Sequence, residues 1–131
     1  MLHADAGLAA RIEHSATRDL ERYASVCARL DESLHVATAH LAGGVAVYIA
    51  AGSPVNMLFG AGFEGPVAPD DLDAVERFYA ERGTSAAISL SPLADPSLVT
   101  QLGARGWVLA DFENVLARSV AGGPDVLGLP G

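Results

Sequence analysis

Residues 59–67 read FGAGFEGPV, with Gly60, Gly62 and Gly65 spaced as G-x-G-x-x-G. Between a strand and a helix, that spacing can form a loop whose backbone N–H groups hold a dinucleotide pyrophosphate. The flanking residues argue against this chemistry. Pro66 and Pro69 have no N–H to donate. Glu64, Asp70, Asp71, Asp73 and Glu76 crowd the same end, and the first cation after Gly65 is Arg77. Two like charges ~6 Å apart at an effective dielectric of about 20 repel by roughly 3 kcal/mol, and several carboxylates act together here. The glycines are expected instead to let a strand end bend and the chain turn tightly.

The remaining residues with chemical potential are scattered. Tyr48 and Asn56 are polar residues within predicted strands, and they are the candidate cleft residues. They serve either as satisfied core or edge side chains or as the lining of a cleft where strands splay. Ser53, Ser89 and Ser91 have no activating context, and no G-x-S-x-G elbow occurs. His35 and His40 would project to opposite faces of one strand because their separation is odd. With His3 and His14 they complete the histidines, and no converging ligand set for a metal is visible. Cys27 has no second cysteine to pair with and is expected to be a buried structural thiol. No catalytic or cofactor-binding residue is assigned on these grounds. The run Asp70–Glu76 reads as a solvated helix start, with a basic substrate or an Arg-bearing partner surface as the functional alternative.

Bulk properties bound the function. The chain has 131 residues, half of them apolar, which suits one folded domain. Its formal charge is −8, from 16 acidic and 8 basic residues, so a phosphate backbone is an unfavourable partner. All eight cations are arginine. The first residues lack the apolar run of a signal peptide, and no stretch approaches the ~20 apolar residues of a membrane helix. The expectation is a cytoplasmic protein with neither nucleic acid nor membrane as partner.

Several elements must position these residues. Leu8, Ile12, Ala16, Leu20, Tyr23, Cys27 and Leu30 recur at steps of three and four. They predict an amphipathic helix, or two short ones broken near Ser15 to Thr17. Two β-rich runs then flank Gly43-Gly44, a pair suited to a hairpin turn. On the second run Val45, Val47 and Ile49 share one side and Ala46, Tyr48 and Ala50 the other, so both faces are expected to be covered. VNMLFGAGF reads as a third strand. Pro69 opens a helix with the stripe Leu72, Val75, Phe78 and Tyr79, and Gly83 stops it. AAISLSP reads as a fourth strand. DPSLVTQLGARG reads as a helix capped by Asp95, with Pro96 first and Gly106 past its end. WVLADFENVLARSV reads as one or two closing strands. The Gly/Pro-rich residues 121–131 read as a tail or linker. The strand–helix–strand order requires a partly parallel sheet, giving an α+β fold with a mixed, mostly antiparallel sheet and helices on its faces.

The phrases GSPVNMLFGAGFEGPV, DLDAVERFYAERG, SLSPLADPSLVTQLGARGW and FENVLAR, in this order, resemble the N-terminal domain of some bacterial GNAT-family N-acetyltransferases. The resemblance implies a GNAT-like domain over residues 1–120. In that family the cofactor loop has the form Q/R-x-x-G-x-G/A. Here GAGFEGPVAPDD has no basic lead residue. Leu102 falls where the family often places an acid tyrosine, and Asp95 falls where it often places an asparagine. The resemblance therefore implies the fold without the usual acetyl-CoA chemistry. The expected role is a domain that is non-catalytic by itself, supporting a catalytic GNAT domain or a homodimer and shaping an acceptor cleft. The alternative is an acetyl-CoA-dependent N-acetyltransferase acting on an amine.

Overall fold

In the computed structural model, which describes residues 4–111, 113, 115 and 116, α1 spans Ala6–Leu30 as one unbroken helix. The Asp5 carboxylate starts it by accepting from the Leu8 N–H at 2.8 Å. The break expected near Ser15 to Thr17 does not occur. The Thr17 hydroxyl donates to the His14 carbonyl at 2.9 Å within the helix, and the residue is buried. The buried face of α1 carries Thr17 and Ala24, with Leu20 and Cys27 packed beside Ala24. Tyr23 and Leu30, expected on that face, are exposed. Cys27 is only half-buried, which corrects the expectation of a buried thiol.

Strands β1 (Ala37–Leu41) and β2 (Gly44–Tyr48) pair antiparallel, with Leu41 opposite Gly44. The hairpin turn is Ala42-Gly43 and not Gly43-Gly44. Both turn residues have positive φ, 53° and 78°, the pattern of a two-residue type I′ turn. β3 is only Leu58–Phe59 and pairs antiparallel with β2, giving the order β1-β2-β3. The fourth run contributes a single parallel bridge, Leu58 to Ile88. The named strands are thus all antiparallel, and the parallel part of the expected mixed sheet shrinks to that bridge.

Every residue of β2 is buried, as its two apolar faces require. Val45, Val47 and Ile49 pack with Ala24 under α1. Ala46, Tyr48 and Leu58 pack on the other face. Ala50, expected with the latter group, lies with the α1-facing group. The second face is closed by α2 (Pro69–Ala80) and α3 (Pro96–Ala104). The expected α2 stripe of Leu72, Val75, Phe78 and Tyr79 is buried as a set, and Leu98 and Leu102 join it from α3. Burying each leucine or valine of this set contributes about 1.5–3 kcal/mol. Arg82 stacks on the Phe78 ring at 3.9 Å and donates to the Phe78 carbonyl at 2.7 Å, which fixes the end of α2.

One contact crosses the core. The Tyr79 hydroxyl donates to the Val47 carbonyl at 3.0 Å and accepts from the Val47 N–H at 3.2 Å. Burial pushes its pKa up from 10.0 to about 12. A group whose folded pKa is raised adds stability that is complete below its unfolded pKa and is lost as pH rises through the folded one. Stability attributable to Tyr79 is therefore expected to fall between pH ~10 and ~12. Urea unfolding across that range checks this, and Tyr79→Phe should abolish that part of the loss. At neutral pH the same variant should cost about 1–2 kcal/mol, because the Val47 carbonyl loses its partner.

Among the described residues of the run expected to form closing strands, 107–111, 113, 115 and 116, no strand forms, and Val108, Leu109, Val115 and Leu116 are exposed. The other residues of that run, and the expected tail 121–131, lie outside the described residues. No helix among the described residues is long and apolar enough to cross a membrane.

Candidate functional site

The glycine loop runs from the end of β3 to the start of α2. Gly60, Gly62 and Gly65 all adopt left-handed backbone, with φ of 75°, 84° and 101°, which side chains disfavour. The first two also face close neighbours. A Cβ on Gly60 would lie 2.7 Å from the Thr17 methyl, and one on Gly62 would lie 2.9 Å from the Ala94 Cβ. The loop is thus pressed between α1 on one side and the entry to α3 on the other.

Its hydrogen bonds are turned inward. Gly62 donates to the Ala42 carbonyl at 3.2 Å, and the Gly62 carbonyl accepts from the Asp95 N–H at 2.7 Å. The Val67 N–H donates to the Ser97 hydroxyl at 2.8 Å. The Val67 carbonyl accepts from the Gln101 side-chain amide. Ser97 and Gln101 are one helical turn apart on α3, so they share a face and grip the two backbone polar groups of one loop residue. The Ala68 N–H donates to the Asp71 carboxylate at 2.8 Å. Pro66 and Pro69 have no N–H. Asp95 caps α3 by accepting from the Ser97 N–H at 3.0 Å. Hydrogen bonding from the Ser97 side chain, and then from its backbone, holds the Asp95 carboxyl below the ordinary range.

The acidic start of α2 is partly neutralised from α3. Arg105 reaches back to Asp73 at 2.7 Å and to Glu76 at 3.1 Å. It also donates to the Pro69 carbonyl at 2.8 Å. The Trp107 ring N–H donates to the other Glu76 oxygen at 3.1 Å. Hydrogen bonding to Asp73, and then to Glu76, raises the Arg105 pKa against its desolvation. Asp73 and Glu76 thus hold α3 to α2. This leaves less of the acidic run to meet a basic ligand than its sequence suggests.

The candidate cleft residues sit close in the chain but on different work. Tyr48 is buried among the residues facing α2 and α3. Asn56 is buried beyond the end of β2; its Oδ1 accepts from the Ile49 N–H at 2.8 Å and its Nδ2 donates to the Ala50 carbonyl at 2.7 Å. Ser53 and Ser91 accept from the N–H groups of Val55 and Leu93 two residues on, and so shape local turns. His40 approaches Glu21 at 3.5 Å on the surface. His35 lies outside β1 and is exposed, so the two histidines do not share a strand as expected. Among the described residues no three His, Cys, Asp or Glu groups are placed to hold a metal ion.

Sequence reasoning did not single out Thr17, Ser97, Gln101, Arg105 or Trp107. A usable signal existed for one pair. Ser97 and Gln101 follow the Asp95-Pro96 helix start at same-face spacing, which aims two polar side chains in one direction. Arg105 gave none, since its partners lie about thirty residues earlier.

The fold and the loop define an α+β chain with a three-strand antiparallel sheet between α1 and the α2–α3 pair, and a glycine loop bonded into its own scaffold. Comparison with protein-family models, with curated proteins and with solved structures found no match to this chain.

Proposed function

We propose that this chain is a GNAT-like module that is non-catalytic by itself. It supports a catalytic GNAT domain, or a second copy of itself, and helps shape an acceptor cleft. Two observations support the reading of its fold: the sequence phrases noted above, and an element order of helix, antiparallel strands, glycine loop, helix, parallel bridge and helix.

The observation that carries the non-catalytic role is the loop's donor supply. A diphosphate is held by backbone N–H groups converging at a helix N-terminus. At this loop the N–H groups of Gly62, Val67 and Ala68 are taken by Ala42, Ser97 and Asp71. Two prolines remove further donors, and Asp70 and Asp71 stand in the first turn of α2. Binding acetyl-CoA there would break existing bonds and oppose standing charge.

Calorimetry with acetyl-CoA tests this. The expected result is no saturable heat at millimolar cofactor. Micromolar affinity, joined by thiol release in the presence of an amine, would replace this reading with that of an acetyl-CoA-dependent N-acetyltransferase.

A further inference from the structure

The outward side of α1 has an organisation that the fold does not consume. Arg11, Arg18, Arg22 and Arg29 are spaced by seven, four and seven residues, which puts them on one flank of a helix. All four are exposed. At 1.5 Å per residue the row is about 27 Å long. It holds half of the chain's eight cations. Arg22 has an exposed pairing with Asp19 at 3.6 Å. Among the described residues Arg11, Arg18 and Arg29 have no carboxylate within 4.0 Å. Arg82 and Arg105, by contrast, are spent inside the fold. Beside the row lie Tyr23, Val26 and Leu30, also at steps of three and four. They are 52%, 40% and 81% exposed, although the buried face of the helix, through Thr17 and Ala24, points the other way.

We propose that this face of α1 is a docking surface for a partner protein that presents a row of carboxylates beside an apolar strip. The inference rests on the reading of the chain as a supporting module and names the surface its partner would use. Charge complementarity selects the occupant. Guanidinium groups pair bidentately with carboxylates, and a partner's apolar strip would cover the Tyr23–Leu30 side chains. A second copy docked antiparallel through the same face would lay the arginine row against itself, so like charges would meet. An extended polyanion or an anionic bilayer would face the whole molecule's charge of −8 as well as the row.

The test uses the full chain and a synthetic amphipathic helical peptide with a leucine strip flanked by glutamates. Binding is read by fluorescence anisotropy. The expected result is saturable binding that weakens with added salt. Arg18→Glu with Arg22→Glu should weaken it about tenfold or more, equivalent to ~1.4 kcal/mol. A peptide with lysine in place of glutamate should rescue that variant. Leu30→Glu should weaken binding separately. All three sites are exposed, and thermal unfolding followed by circular dichroism should show unchanged midpoints. The inference is overturned by any of three results. These are no binding to the glutamate peptide, self-association lost on Leu30→Glu, or equal or tighter binding to phosphatidylserine-containing vesicles. No coenzyme A enters the experiment, so its failure leaves the reading of the glycine loop intact, and a failure of that reading leaves this result standing.

Discussion

Replacing Gly44 with alanine is expected to destabilise the fold by about 3 kcal/mol or more. An added Cβ would lie 2.2 Å from the Phe59 carbonyl oxygen, 2.7 Å from the Ala61 nitrogen and 2.9 Å from the Gly60 carbonyl carbon. All three are backbone atoms, so no side chain can swing away. The loop cannot readily retreat either. Val45 pairs with Phe59 directly before it, and Gly62 is bonded on both sides, to Ala42 and to Asp95. Overpacking a close contact typically costs 1–3 kcal/mol, and the upper end or beyond applies where only backbone can yield, at roughly that scale. Gly103→Ala is the control. That glycine lies in α3 with open space where the Cβ would go, so alanine there should be neutral or stabilise by about 0.5 kcal/mol. Urea denaturation of both variants measures the contrast. A Gly44→Ala protein as stable as the parent would mean that the loop does not rest against β2 in this way.

Asn56→Ala is expected to cost about 1–3 kcal/mol. The Ile49 N–H is buried and has the Asn56 carbonyl as its partner, while the Ala50 carbonyl takes the Asn56 amide. Deleting the side chain orphans the buried Ile49 N–H, which costs roughly 1–3 kcal/mol, while the Ala50 carbonyl keeps the Ser53 N–H at 3.1 Å. Asn56→Asp separates the two contacts. A carboxylate still accepts from Ile49 but cannot donate to Ala50, whereas a protonated carboxyl can do both. The aspartate variant should therefore gain stability relative to Asn56→Ala as pH falls. Equal stability of all three proteins at neutral pH would contradict a structural role for Asn56. It would return this residue to the cleft role that its sequence position also allowed.

The same two regions explain which parts of the fold could be read from sequence. Helices α2 and α3 were legible because their ends are written in local chemistry: Pro69, then Asp95 before Pro96, with Gly83 and Gly106 past the ends at φ of 70° and 78°. The two-faced burial of β2 was legible because both of its faces are apolar. The short β3 was not. Along β2 the Tyr79 hydroxyl bonds Val47 and the Asn56 side chain bonds Ile49. The Val47 N–H still reaches the Met57 carbonyl at 3.1 Å, but the Val47 carbonyl and the Ile49 N–H are taken by side chains where a longer third strand would have paired them. Nothing local to VNMLFGAGF announces this.

The hairpin turn was misplaced by one residue for a related reason. Gly-Gly suits a turn, but Gly44 is required in the strand, where the loop backbone leaves no room for a side chain. Ala42 accepts the left-handed position in its place, at φ of 53°. On α1, apolar residues lie on both sides of the helix, so periodicity alone could not tell the buried side of Ala24 from the exposed side of Val26. The restraint of the glycine loop was half legible. Prolines and carboxylates were visible in the sequence, but the grip of Ser97 and Gln101 on Val67 depends on where α3 folds back.

Three backbone donors of this loop, the N–H groups of Gly62, Val67 and Ala68, are already engaged within the protein. Following their amide resonances while acetyl-CoA is added to the full chain tests this central claim most directly. The account predicts that these resonances stay in place up to millimolar cofactor, with their hydrogen exchange unchanged. Saturable shifts of these amides at micromolar acetyl-CoA would show the loop opening to receive a diphosphate, and would contradict it.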